Sequence, residues 1–346
     1  MRYRILSLVP LLALPLLGGA NDLPDERTSP SVSVEMREAT RRIGRSINLG
    51  NALEAPVDGE WGLTIRKSHL VSIRDAGFTA VRIPVRWSAH VRRTPRQQID
   101  EKFLSRVDSV IDAALENGLA VILNVHHFEE MYRDPARHEP TLHAIWRQLA
   151  AHYKTYDDRL MFELLNEPHD RLDAQTWNAV SSRLIRTVRE RDCNRILIIG
   201  PARWNDPDLF PSLELPPEDR RLIATFHYYS PFEFTHQGAS WVDDSEQWIG
   251  TKWSTNSPSA AQIKRDFAQV AQWGSQQGRP ILLGEFGTRR QADARSRIAW
   301  TRYVRQMAEE HGFAWAYWEF GSDEFGICEL PGLRWDEKMR AALLGH

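Results

Sequence analysis

Cysteine is scarce in this chain of 346 residues: Cys193 and Cys328 are the only two. A chain so poor in cysteine has no disulfide scaffold and must hold its shape by burying a core. Charge of one sign is scarce as well. The net charge is -2 and no long basic run occurs, so the electrostatic footprint of a nucleic-acid binder is missing. Beyond the N-terminus no apolar run approaches the roughly 18 residues that span a bilayer, and no integral membrane domain is expected. No G-x-G-x-x-G follows the first β-rich run, SINLGNALEAP, which argues against an open sheet that binds a dinucleotide. What is there suits a large buried core, with 42% hydrophobic and 26% charged residues. Tryptophan is in excess. Thirteen indole rings are more than a core needs, and the surplus points to stacking surfaces for a ligand.

The first residues read MRYR, then ILSLVPLLALPLLGG, then Ala20-Asn21-Asp22. A basic start, an apolar stretch and small residues at Gly18 and Ala20 have the form of a cleavable signal peptide over residues 1–20. Export follows as an expectation, to the periplasm or the medium, with no membrane attachment after cleavage. A polar stretch over 21–34 is expected to be mobile, and residues 35–346 to form one domain.

That domain alternates short β-rich runs with amphipathic helical runs. The β-rich runs are Ser46-Asn51, Ala80-Val85, Ala120-His126, Leu160-Glu167, Arg195-Gly200, Leu222-Tyr229, Pro280-Gly287 and Ala314-Phe320. Each is nearly continuously apolar, as strands covered on both faces should be. Between them, residues 101–117 carry apolar side chains at helical spacing and end at Gly118. Asp173 can cap a helix over Trp177-Val188, and Ser259 one over Ile263-Trp273. Eight buried strands alternating with helices predict a single (β/α)8 barrel, an α/β fold. In that arrangement Cys193 precedes strand five and Cys328 follows strand eight, at opposite ends, so the two are expected to be unpaired.

Functional residues of such a barrel gather where the strands end. Here those ends carry Asn51 and Glu54, Arg82, His126 and His127, Asn166 and Glu167, His227 and Tyr229, Glu285, and Trp318. Glu167 and Glu285 would face each other across the barrel mouth from strands four and seven. Cleaving a glycosidic bond needs one carboxylic acid to protonate the leaving oxygen and a second carboxylate to capture the oxocarbenium-like centre. Arg82 and Tyr229 beside Glu285 would favour its ionised form and suit it to attack. Like charge and desolvation would hold Glu167 protonated. Asn166 can donate to a sugar 2-hydroxyl, Trp318 offers a flat face to a pyranose ring, and His236 and Trp241 in the loop after strand six add a further wall. The chemistry needs two carboxyls and water, so no cofactor and no metal is expected. His126-His127 could be read as metal ligands, but adjacent strand residues point to opposite faces and no H-x-H completes a cage. Glu163, deeper on strand four, reads as a buried structural acid.

Taken in order, these residues resemble glycoside hydrolase family 5, whose retaining members place catalytic glutamates on strands four and seven. LLNEP matches the acid/base segment and GEFG the nucleophile segment. The Arg in VRIPV, the His in NVHH, the His and Tyr in HYY and the Trp in AYWEF match the family's surrounding residues. INLGNALEAP, GEWG, PFEFTHQGA and WIGTKW are similar to a bacterial endoglucanase branch, some of whose members cleave both β-1,4-glucans and β-mannans. The resemblance implies an endo-acting cellulase-like enzyme with Asn51, Glu54, His127, His236 and Trp241 among its subsite residues. Two departures stand out. WEFGSDEFGICEL carries Asp323-Glu324, bulkier and more acidic than the GSGFGVYD-like stretch expected there, and Phe128 replaces a common Tyr. The expected partner is a β-glucan or β-mannan chain, and the expected state is a monomer. A dedicated β-mannanase, another β-glycanase, or a non-catalytic carbohydrate-binding barrel are the competing readings.

Overall fold

A computed structural model of the protein describes residues 31–92 and 96–345. The expected signal peptide and most of the polar stretch after it lie outside the described residues. Eight parallel strands close into a barrel in sequence order: β1 (Arg45–Asn48), β2 (Ala80–Ile83), β3 (Ala120–Asn124), β4 (Leu160–Glu163), β5 (Leu197–Ile199), β6 (Leu222–Tyr228), β7 (Ile281–Phe286) and β8 (Ala314–Tyr317). The barrel closes where β1 pairs with β8, Ser46 opposite Ala316. Seven of the predicted runs contain their strand and the first misses only Arg45, and the runs overrun the strands, by as many as four residues at the C-terminal end of β4. The overrunning residues leave the ladder because they carry the site.

Successive strand side chains alternate between helix-facing and barrel-facing positions. Val121, Leu123, Phe162, Leu197 and Leu283 belong to the main core, packed outward under the helices. Ile122, Met161, Ile198, Ile223, Leu282 and Ala314 form a second, smaller core inside the barrel. Its lower end is closed by the helix Val34–Ile43, which adds Met36, Ala39 and Ile43 to that core. Ser33 caps this helix by accepting from the Met36 N–H at 3.2 Å.

The helices begin where side-chain oxygens can satisfy free N–H groups. Asp100 caps Glu101–Glu116 through Lys102 and Phe103, and Asp173 caps Ala174–Arg189 through Thr176. Ser259 does not cap its helix. Pro258–Gln277 starts earlier, after Ser257, because proline favours the first helical position, and the Ser259 hydroxyl accepts from the Trp253 indole instead. Cys193 is exposed and Cys328 buried, and both are free.

Candidate active site

Along the barrel interior the side chains change from apolar to polar within one or two strand steps. Ile122 is followed by Asn124, Met161 by Glu163, and Ile223 by Thr225 and His227. Arg82, fully buried, sits in this polar layer and organises it. Its Nε and Nη2 donate to Glu163 at 2.6 and 2.7 Å, Nη1 donates to Glu285 Oε1 at 2.7 Å and to Asn48 Oδ1 at 2.9 Å, and Nη2 also donates to Asn166 Oδ1 at 2.7 Å. All five guanidinium donors are thereby used. Arg82 stands beside Glu285 as its strand end predicts but does not line the cleft, and neither does Glu54, which was expected among the subsite residues. Arg82 lies beneath the carboxylates it holds. Glu54 is 1% exposed, and its carboxylate accepts the backbone N–H groups of Asn51 and Ala52. It fixes the loop that presents Asn51, whose φ of 63° needs such support.

Glu285 owes its direction to a bulge. Leu283 faces the helices, so strict alternation would turn Glu285 the same way. The β6–β7 register instead slips after Phe226, pairing His227 with Glu285 and turning the carboxylate into the barrel mouth. Gly284 permits the slip. A Cβ there would lie 2.7 Å from Thr225 Oγ1 and 3.0 Å from His227 Nε2. In place, Glu285 receives Arg82 on one oxygen and the Tyr229 hydroxyl on the other, at 2.9 Å. Burial raises its pKa, while His227 and Arg82 oppose the rise.

Glu167 arrives differently. It follows β4 with φ 46°, a left-handed conformation uncommon for a glutamate, and its side chain is 24% exposed. Oε1 accepts from His227 Nδ1 at 2.7 Å. The Asn205 amide lies 3.3 Å from the other ring nitrogen, Nε2, and a donor there places the imidazole proton on Nδ1. Burial lowers the His227 pKa to about 4, so the ring is neutral at neutral pH and donates to Glu167 as an uncharged group. Glu167 is raised to about 7, chiefly by burial and against the opposing charge of Arg82. Oε1 being engaged, Oε2 is the oxygen free to carry the proton.

One oxygen of Glu167, one oxygen of Glu285 and a nitrogen of His227 lie within 4.8 Å of one another. Such a trio could in principle chelate a cation. Here a metal would compete with the Nδ1–H for Glu167 and would face the Arg82 guanidinium, so the donor set fits proton handling better.

Around the pair runs a cleft of about 1120 Å³, bordered by Asn51, His126, His127, Tyr229, His236, Trp241 and Trp318. His126 lies parallel to Trp318 with ring centroids 5.8 Å apart. Burial lowers His127 to about 4 and His236 to about 3, so both are neutral hydrogen-bonding groups. Asn166 is 4% exposed with its Oδ1 held by Arg82, which leaves its NH2 as the group able to donate. Three cleft or support residues escaped the sequence reading. Asn48 and Asn205 hold Arg82 and His227; Asn48 was legible as the inward position two steps along β1 from Ser46. Trp204 is 51% exposed at the cleft rim, stacked on His169 at 4.8 Å, in a run Arg203–Asn205 whose φ values are 56°, 59° and 56°. No sequence pattern announces three consecutive left-handed non-glycine residues. Trp61, also at the rim, meets His127 edge-on at 5.7 Å.

With this geometry in view, similarity to known proteins is informative. The model of the cellulase family, glycosyl hydrolase family 5, matches residues 46–324. Endoglucanase H of Acetivibrio thermocellus is 35% identical over 297 residues, which make up 85% of this chain and 32% of that protein. The chain thus spans about a third of that relative's length. Among solved structures, Thermotoga maritima Cel5A in complex with cellobiose is 42% identical with a TM-score of 0.87, over 89% of this chain and 99% of that one. The same protein in complex with mannotriose is 42% identical with a TM-score of 0.86, over the same shares.

Proposed function

The chain belongs to glycosyl hydrolase family 5, and we propose that it is a retaining endo-β-1,4-glucanase with Glu167 as acid/base and Glu285 as nucleophile. The observation that carries the reading is the close approach of two differently furnished carboxyls. Their nearest oxygens fall within 4.8 Å, near the about 5 Å of double displacement and short of the 6.5–9.5 Å that leaves room for a water in inverting enzymes. Arg82 and Tyr229 stabilise negative charge on Glu285, while burial keeps the Glu167 proton in place near pH 7.

In the first step Glu285 attacks the anomeric carbon as Glu167 Oε2 passes its proton to the departing glycosidic oxygen. The chain beyond the cleavage point leaves, and a glycosyl ester on Glu285 remains. Glu167, now ionised and still held by His227, takes a proton from water, and the hydroxide displaces Glu285. Net retention at the anomeric carbon follows from two inversions. An open cleft with Trp61, Trp204 and Trp241 exposed along its rim suits internal sites of a polymer more than a chain end.

A second reading, cleavage of β-mannan or glucomannan by the same pair, is favoured by a specific likeness: a 42% identical structure has been solved with cellobiose and with mannotriose. Release of reducing ends from carboxymethyl-cellulose, barley β-glucan and glucomannan, with the Glu285→Ala protein as control, tests both. Cleavage lost in the control supports the reading, and the ranking of polymers divides glucan from mannan. Proton NMR of the first anomer released tests retention, and an α-anomer product would overturn it. Binding without cleavage of any β-glycan would favour a non-catalytic barrel.

A further inference from the structure

Trp241 is 56% exposed at the cleft rim, on a loop that by itself would let the indole ring swing. The structure shows what holds it. The Arg289 guanidinium carbon lies 5.3 Å from the centre of the Trp241 ring, a cation–π contact. Arg289 comes from the loop after β7 and is itself clamped. Its Nε donates to Glu324 Oε2 at 2.6 Å, Nη2 donates to the same oxygen, and Nη1 donates to the Gln237 carbonyl at 2.9 Å. Backbone bonds tie the same three loops: Arg289 N–H to Thr235 O at 3.0 Å, and Arg290 N–H to Glu324 O at 2.7 Å. Phe325, next to Glu324, packs between Tyr229, His236 and Trp241 with ring centroids 6.2, 5.4 and 6.5 Å away. The acidic departure Asp323-Glu324 in the strand-eight segment therefore has a use. Glu324 fixes the arginine that fixes the tryptophan.

We propose that Arg289 and Glu324 are positioning residues that hold Trp241 as a preformed sugar platform. They thereby set the affinity for β-glycan chains long enough to reach it. The proposal rests on the glycanase reading above for its substrate. The physical reason is preorganisation. An exposed indole must give up its rotamer freedom on stacking a sugar ring, and a ring already pinned on one side has less to lose. Arg is suited to the pinning, because its planar fork bonds a carboxylate edge-on while its face covers the aromatic ring. The arrangement spares the reacting atoms, since neither residue bonds Glu167 or Glu285.

The test compares Arg289→Ala, Glu324→Ala and Glu324→Gln with wild type on cellopentaose and on a short activated aryl cellobioside. Arg289→Ala is expected to raise KM for cellopentaose about 3- to 30-fold, with kcat and the aryl-cellobioside constants within about twofold. Glu324→Ala, a change at a half-exposed site that should not impair folding, gives the same split. Glu324→Gln, which keeps an acceptor for the fork, gives a smaller one. The double Ala variant adds little to Arg289→Ala alone, because both act through one contact. Near-UV circular dichroism without any sugar provides a second readout. The wild-type minus Trp241→Phe difference band should vanish when both are made in the Arg289→Ala background. An unchanged cellopentaose KM in Arg289→Ala, or equal losses on long and short substrates, would overturn the proposal. Should wild type cleave no β-glycan, the glycanase reading fails, and the dichroism band decides the brace on its own: retention of the band in Arg289→Ala refutes it.

Discussion

At the lower end of the barrel the inward side chains are Ile122, Met161, Ile198, Ile223 and Leu282, sealed by Met36 and Ile43. One or two steps further along the same strands they become Asn124, Glu163, Thr225 and His227, gathered around a buried arginine. The backbone differs in the same sense. Most non-glycine residues with positive φ among those described lie in loops after a strand, on the catalytic side: Asn51, His127, Glu167 and the run Arg203–Asn205 are among them. On the opposite side left-handed helix ends fall to glycine, as at Gly77 and Gly278. Unpaired buried polar atoms such as Asn124 Oδ1, Asn205 Oδ1 and Thr288 Oγ1 also lie toward the catalytic end. Strain of about 1–3 kcal/mol at each left-handed site, and buried charge that a hydrophobic replacement would often better, accumulate where substrate is handled. The lower end holds ordinary, well-packed structure that lets the upper end tolerate this.

Altering one residue at each end separates chemistry from stability. Glu285→Gln keeps volume and an acceptor for Arg82, so turnover should fall by about 10³-fold or more while thermal unfolding shifts by only a few degrees. Turnover within about tenfold of wild type, with contaminating hydrolase excluded, would remove Glu285 from the nucleophile role. Glu167→Gln should cost about 10²- to 10⁴-fold on polymer and far less in the first step on activated aryl glycosides, whose leaving groups need little protonation. Glu167 should also set the alkaline limb of kcat/KM near pH 7: ionisation removes the acid, so activity falls as pH rises through that value. The limb should be missing in Glu167→Gln on activated substrates. Ile43→Ala at the sealed end should show the converse, losing about 2–5 kcal/mol of stability in urea titrations with kinetic constants unchanged at low temperature. A changed kcat there would mean that the two ends are coupled.

Much of this division was legible in the sequence, for a physical reason. Buried parallel strands must be apolar on both faces, so eight apolar runs announced eight strands, and the polar residues closing them announced the face that does chemistry. Glu167, Glu285, His227 and Tyr229 all meet as those strand ends predict. Local pattern could not show which polar residues reach solvent. Glu54 and Arg82 close strands like the rest, yet both turn inward, one to backbone N–H groups and the other to a five-fold hydrogen-bond network. Nor could it show the bulge beside Gly284, since a slipped register depends on a neighbouring strand. Trp204 was equally hidden, because its exposure comes from backbone strain rather than composition. The helix start misplaced at Ser259 was a contest between two serines around a proline, which Pro258 decides in favour of Ser257.

The smallest expected effect concerns two acids that sit between the ends in character, buried like the core and charged like the site. Among the described residues Glu54 and Glu319 have no cationic hydrogen-bond partner: Glu54 accepts the backbone N–H groups of Asn51 and Ala52, and Glu319 those of Gly321 and Ser322 together with the Ser322 side chain. Burial raises Glu54 from its ordinary value of 4.5 to about 8 and Glu319 to about 7, and the Glu319 charge pushes Glu54 further up. A raised folded-state pKa means that the folded protein holds these protons more tightly than the unfolded chain does. Their contribution is therefore complete below about pH 4.5 and is lost as pH rises through 7 to 8. Wild-type stability should slope downward across that window, and Glu54→Gln should flatten the slope. At pH 5 the same variant should be less stable by about 1 kcal/mol, because its NH2 cannot accept one of the two backbone N–H groups. As pH rises the two curves should cross, and by pH 8 the variant should be the more stable of the two. A slope unaltered by Glu54→Gln would mean that Glu54 is already ionised at pH 5, its two backbone N–H bonds outweighing the cost of burial.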